Sequence, residues 1–148
     1  MNGEPVADGV RTHVAVSASS LDVSGAAHAV ADPSAGCSVV FTGMVRDHAP
    51  GKTDVSRLEY EAYAGVVEQK IGDVISDARH RWDIIHVVAL HRTGELAVGE
   101  VAVVVAVSSA HRKDAFPAAQ FIIDELKSRA PIWKKEHWPG GAEWVEGA

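Results

Sequence analysis

The residues best suited to chemistry lie in the last third of the chain. Ser108-Ser109-Ala110-His111-Arg112-Lys113-Asp114 stands where a Val-rich run gives way to helical spacing. Free backbone N–H groups at a helix start attract anions, and an imidazole and a guanidinium beside them make a pocket for phosphate or carboxylate. The same string also reads as ordinary helix capping. Lys127 falls on the last turn of that helix, where a cation also complements the helix dipole. In Pro131-Ile132-Trp133-Lys134-Lys135-Glu136, alternation puts Ile132, Lys134 and Glu136 on one side and Trp133, Lys135 and His137 on the other. Lys134 therefore projects with an apolar residue, and a lysine at the margin of apolar surface can have a lowered pKa and serve as acid, base or nucleophile. Gly43-Met44-Val45-Arg46 ends an apolar run with a guanidinium at the edge of a loop. Arg46 is an ordinary surface residue unless the fold brings it near His111.

Charge gives these residues a setting. The 148 residues carry a formal charge of -6, with 47% hydrophobic and 23% charged residues, the balance of one folded domain rather than a disordered chain. Residues 1–110 hold eight Lys/Arg and fourteen Asp/Glu, residues 111–137 hold six and four, and residues 138–148 add two Glu. An acidic chain of this kind is not a general nucleic-acid or membrane-surface binder, so any anion site is local to the +2 stretch. One cysteine, Cys37, excludes an internal disulfide framework, a CxxC pair and a multi-cysteine zinc site, and reads as a small core residue. The eight histidines show no paired helical spacing beside a carboxylate, so no metal site is expected. Met1 to Ser20 lacks the basic end and apolar core of a signal peptide, and no apolar run reaches spanning length. A cytoplasmic protein is expected.

The elements that must position these residues follow from periodicity. Val10 to Val16 alternates weakly as a first strand, and Leu21 to Ala31 reads as a short helix capped by Ser19 or Ser20. Cys37 to Val45 is an apolar strand, residues 46–54 with Pro50-Gly51 a loop long enough to be mobile, and Val55 to Tyr63 a half-buried strand with Leu58, Tyr60 and Ala62 on one side. Ala64 to Trp82 repeats apolar residues at helical spacing. Ile84 to His91 and Glu100 to Val107 are Val/Ile-rich strands, and the Gly-bounded connection Thr93–Gly99 suits a hairpin between them. A second long helix is predicted over Asp114–Ser128, burying Ala115, Ala118, Ala119, Ile122 and Leu126. Pro117 lies either in its first turn or at a kink. Ile132 to Val145 reads as two short strands around Pro139-Gly140-Gly141. Single strands and hairpins between two long helices make an α+β fold, and the absence of GxGxxG and GxxxxGK[ST] leaves nucleotide-binding folds of those types without support.

Five blocks, in order, then point to a family. FTGMVRD (Phe41 to Asp47), LEYEAY (Leu58 to Tyr63), HRTGELAVGE (His91 to Glu100), SSAHRKDAF (Ser108 to Phe116) and DELKSRAPIWKKE (Asp124 to Glu136) resemble the large, catalytic subunit family of molybdopterin synthase over about Gly36 to Val145. The resemblance implies an α/β hammerhead-type domain over residues 21–148, preceded by a poorly matched segment, residues 1–20, that holds the first strand. It implies a sulfurtransferase of molybdenum cofactor biosynthesis. Such enzymes convert precursor Z, a cyclic pyranopterin monophosphate, to molybdopterin with sulfur from the C-terminal thiocarboxylate of a small ubiquitin-like carrier.

Carried over by position, the resemblance makes Lys127 and Lys134 catalytic and makes Arg46, His111, Arg112, Lys135 and Glu136 substrate-binding, with no metal. It also implies a homodimer, in a heterotetramer with two small subunits, and no bound cofactor; nucleic acid and membrane are not expected partners. Two other readings stay open on the residues themselves. The chain could be a docking module for a ubiquitin-like tail or a pterin phosphate, without chemistry. A phosphoryl-transfer or hydrolytic enzyme could use the same anion pocket, but the sequence offers no carboxylate cluster to hold its metal.

Overall fold

The computed structural model describes residues 9–63 and 65–146. In chain order the elements are β1 (Thr12–Ser17), α1 (Val23–Ala29), β2 (Cys37–Met44), β3 (Arg57–Ala62), α2 (Val66–Arg81), β4 (Val87–Arg92), β5 (Gly94–Ala97), β6 (Val101–Ser109), α3 (Arg112–Arg129), β7 (Ile132–Trp138) and β8 (Gly141–Glu146). The strands form two four-stranded sheets, ordered β1-β4-β6-β2 and β5-β3-β7-β8. β1 and β4 are parallel, and every other named pair is antiparallel. This is the α+β, hammerhead-type class that the sequence leads one to expect.

Alternation along the central strands explains the layering. In β4, Val87 and Ala89 enter the main core while Val88 and Leu90 enter a smaller one; in β6, Val105 and Val107 face the main core while Val104 and Ala106 face the smaller. A strand covered on both faces must read as a near-continuous apolar run, which is why β6 is VAVVVAV. The main core receives Ile71, Val74 and Ile75 of α2, Ala115, Ala118, Ile122 and Leu126 of α3, and Leu58, Tyr60, Leu96 and Ile132 of the second sheet. The smaller core is closed by Ala26 of α1 with Val30.

Several local expectations are corrected. The α1 cap is Asp22, whose carboxylate accepts the Gly25 N–H at 2.9 Å, and not Ser19 or Ser20. A carboxylate there also meets the positive end of the helix dipole. The connection from residue 93 to 99 is not a plain hairpin: Gly94–Ala97 forms β5 and pairs with β3 in the other sheet, with Leu96 wholly buried. α3 begins at Arg112 rather than Asp114, so Pro117 sits in its second turn, where it leaves the Lys113 carbonyl without the usual helical donor. The predicted start of α2 at Ala64 lies outside the described residues; α2 opens at Val66, where the Glu68 carboxylate accepts the Gly65 N–H at 3.0 Å.

Candidate active site

The loop after β2 is less free than its Pro-Gly content suggests. Ala49 and Lys52 exchange backbone hydrogen bonds of 3.2 and 2.9 Å around Pro50-Gly51, and Val55 N–H donates to the Asp47 carbonyl at 2.7 Å. The tight hairpin so formed turns Lys52 toward β7. There its ammonium lies 2.6 Å from Glu136 Oε1 and 3.1 Å from Glu143 Oε2, above the Trp138 ring. Those carboxylates, Glu136 first, raise the Lys52 pKa.

Arg46 stands at the loop's start because β2 ends in a register shift at Gly43/Met44. Gly43 is required by close packing there: a Cβ would lie 2.5 Å from the Val103 side chain. Buried Val45 is then tied to the turn before β6, donating to the Glu100 carbonyl and accepting from Gly99 N–H. The Arg46 side chain is left exposed, with its Nε–H donating to the His48 carbonyl at 2.9 Å.

Lys134 reaches the same place from β7, which pairs with β3 so that Lys134 stands opposite Tyr60 and Glu136 opposite Leu58. Glu136 is buried, and its second oxygen lies 3.6 Å from the Lys134 ammonium. Burial and the Glu136 charge push the Tyr60 phenol up to about 12, so it remains a neutral donor. Lys127 arrives from the last turn of α3. Although much of its side chain meets solvent, partial desolvation lowers its pKa; the charges of Lys134 and Arg46 act the same way, and Asp124 opposes them. Lys134 and Arg46 thus converge on Lys127 from two other parts of the chain, near enough for their charges to act on its ammonium.

The remaining predicted site residues lie elsewhere. His111 is the N-cap of α3, and His111, Arg112 and Lys113 line a cavity of about 410 Å3 with Gly36, Cys37 and Ala110. Gly36 is forced by contact, since a Cβ there would meet the Ala110 carbonyl oxygen. Fifteen residues of helix separate Arg112 from Lys127, roughly 22 Å of axial rise, so one chain cannot bring both to one small ligand. Lys135 points away from Lys134 and stacks on Trp144 at 5.5 Å. Cys37 is half-buried at the cavity wall, with its Sγ 3.6 Å from Ser109 Oγ.

Two residues that sequence reasoning missed complete the lysine site. Lys52 carries no signal beyond being a charge in a loop. His91, at the end of an apolar strand, is 1% exposed and meets the Tyr60 ring edge-on at 5.1 Å. Among the described residues no three His, Cys, Asp or Glu side chains converge as a metal site requires, and no helix is long and apolar enough to cross a membrane.

Comparison with known proteins adds the family. The family model for the MoaE protein matches residues 16–129. The chain belongs to the MoaE family. A molybdopterin synthase catalytic subunit from Escherichia coli strain K12 is 48% identical over 111 residues, covering 75% of this chain and 73% of that protein. This member of the family is likewise an enzyme of the molybdopterin synthase catalytic-subunit kind. Among solved structures, molybdopterin synthase from Staphylococcus aureus superposes with a TM-score of 0.82 at 35% identity, covering 88% of this chain and 94% of the other. A chain from the Helicobacter pylori 26695 complex of subunits 1 and 2 of molybdopterin-converting factor shares the fold, with a TM-score of 0.71 at 18% identity over 91% and 90% of the two chains.

Proposed function

We propose that this chain converts precursor Z to molybdopterin in the cytoplasm, inserting two sulfurs from the C-terminal thiocarboxylate of a small ubiquitin-like carrier to form the dithiolene. The observation that carries the reading is the convergence of Lys127, Lys134 and Arg46 in a MoaE family member. Three cations in an otherwise acidic protein draw in a phosphorylated, anionic pterin and a carboxylate-bearing tail. Partial burial, and then the same crowding, lowers the Lys127 pKa, which brings its proton closer to exchange at neutral pH. Lys127 and Lys134 then move protons at the reacting carbons, during sulfur addition and release of the carrier carboxylate. Glu136 serves by holding Lys134 and Lys52 rather than by touching substrate. The reaction so drawn uses no metal or organic cofactor held by this chain.

The distance between the two basic clusters favours a homodimer, with the carrier subunits completing a heterotetramer. β2 is an edge strand that runs from Cys37, beside the His111 cavity, to Met44, just before Arg46, and Val40, Met44 and the neighbouring Phe116 are exposed along it. A twofold, antiparallel approach of two such edges sets the Cys37 end of one chain against the Met44 end of the other. His111 and Arg112 of the partner subunit would then hold the substrate phosphate over Arg46, Lys127 and Lys134.

A single-turnover reaction analysed by mass spectrometry tests the reading, with purified protein, precursor Z, thiocarboxylated carrier and no added metal. Dithiolene product from the wild type, lost in Lys134→Ala, supports it. A carrier that binds with its thiocarboxylate intact and precursor Z unchanged overturns it in favour of a docking module.

A further inference from the structure

His91 is the buried ionisable group that the mechanism above leaves unused. It ends β4 on the side of Val87 and Ala89, the face covered by α2 and α3, and pairs in register with Val103 near the start of β6. α3 follows β6 and returns along it, so the last turn of α3, with Lys127, lies level with that end of the sheet. The Tyr60 ring of β3 closes the other side of the imidazole.

The hydrogen bonding of the ring fixes its tautomer. Nδ1 lies 2.7 Å from the Arg92 carbonyl, which can only accept, so Nδ1 carries the proton and Nε2 presents a bare lone pair. Nε2 is fully buried and has no hydrogen-bond partner. Burial, first, and the nearby Lys127 charge push the His91 pKa down to about 4, against the Arg92 carbonyl bond, so the ring stays neutral through physiological pH. An unpaired acceptor beside an ammonium in a desolvating site invites one partner above others. Arg92 is committed to Glu100 at 3.0 Å.

We propose that His91 is the positioning residue for Lys127: its Nε2 lone pair accepts one Lys127 N–H as that side chain turns inward, with or without substrate, and so fixes the direction in which the ammonium meets the reacting atoms. The inference rests on the synthase reading for the role of Lys127 in turnover. The His91–Lys127 contact does not depend on it. The charged and titratable groups facing this pair are Lys134 on β7, Arg46 after β2, Asp124 on α3 and Tyr60 on β3.

The test uses the full chain and follows the Lys127 side chain by NMR titration in wild type, His91→Gln and His91→Phe. The Gln side-chain oxygen can take the place of Nε2, whereas Phe keeps ring volume without an acceptor. The expected result is a Lys127 midpoint lowered by about half a pH unit or more in His91→Phe and restored toward wild type in His91→Gln. In the single-turnover assay the rate falls roughly tenfold or more in His91→Phe, recovering in His91→Gln, with carrier affinity unchanged. A Lys127 midpoint that moves equally in both variants, or in neither, overturns the proposal. If His91→Phe does not fold, Lys127→Met supplies the readout: the Nε2 nitrogen resonance of His91 must change in the presence of precursor Z relative to wild type, and an unchanged resonance overturns the proposal. If the titrations behave as expected but wild type leaves precursor Z unconverted, the synthase reading fails while the His91–Lys127 contact stands.

Discussion

The ammonium of Lys52 and the buried carboxylate of Glu136 lie 2.6 Å apart across 84 residues of sequence, and they tie the hairpin after β2 to the strand that carries Lys134. Glu136 therefore serves two lysines, one oxygen to each. A site whose entrance loop and catalytic strand share one carboxylate responds to changes in either.

Replacing Lys52 by Met, which keeps an unbranched stem over Trp138, is expected to release the hairpin while leaving the sheets intact. The Ala49, Lys52 and Val55 amides, now in closed hydrogen bonds, should exchange at least roughly tenfold faster, and amides of β6 should keep their protection. Because its carboxylate partners raise the Lys52 pKa, its contribution is present below the unfolded lysine value near 10.5 and is lost as pH rises through the higher folded value. The latch should hold throughout the neutral range. Unchanged loop exchange in Lys52→Met would show that the backbone bridge alone holds the hairpin.

Lys127→Ala and Lys134→Ala should each lose on the order of 10²-fold or more in product formation, the scale of a missing proton-transfer group. Lys127 is exposed, and although the Lys134 side chain is only 22% exposed, Lys52 still pairs with Glu136 when Lys134 is removed, so far-ultraviolet circular dichroism should change little and the melting temperature should fall only modestly. Turnover near wild type in both variants would remove the lysines from the chemistry.

Much of this architecture is legible in the sequence because it is periodic. Five of the apolar positions expected to line α2, Val67, Ile71, Val74, Ile75 and Ala78, are buried, as is the whole stripe expected on α3. The shared side of Ile132, Lys134 and Glu136 follows from strand alternation and is seen, Ile132 and Glu136 being buried. What sequence could not supply is pairing between distant segments. β5 is four residues between glycines and exists because β3 offers it a partner. The α1 cap falls on Asp22 rather than on the expected Ser19 or Ser20, because the backbone places the Gly25 N–H over the Asp22 carboxylate. His91 looked like the end of an apolar strand; its orphaned nitrogen depends on α3 and β3 packing around it. Conversely, the separation of His111 and Arg112 from Lys127 was implicit in the helix length.

That separation has a direct consequence for mixtures of variants. If each site takes Lys127 from one chain and Arg112 from the partner subunit, Lys127→Ala and Arg112→Ala homodimers are both inactive. Unfolding and co-refolding them at equal amounts makes half the dimers mixed, each with one intact site, which restores about one quarter of wild-type activity. A mixture that stays inactive would place both residues' roles within one chain, and a chain that remains monomeric at micromolar concentration by light scattering would remove the shared site altogether.

The last expectation concerns acid stability, and its sign follows from His91. The ring titrates near 6.5 when unfolded and, held neutral by burial, at about 4 when folded. Between those values the unfolded chain binds the extra proton, so stability falls as pH falls through this window and recovers as pH rises above 6.5. Integrated from pH 7 to pH 4.5, a shift of this size is worth roughly 2 kcal/mol. Asp32 titrates below that range, because hydrogen bonds from Ser34, and then His86, hold its carboxyl down at about 2. It therefore adds no confounding slope above pH 4.5 from its folded state. Urea unfolding of the wild type at the two pH values should reveal the loss, and His91→Gln, which cannot take up the proton, should flatten the dependence by a similar amount. An equally steep dependence in His91→Gln would mean that other groups set the acid limit and that the His91 ring is protonated more readily than its burial requires.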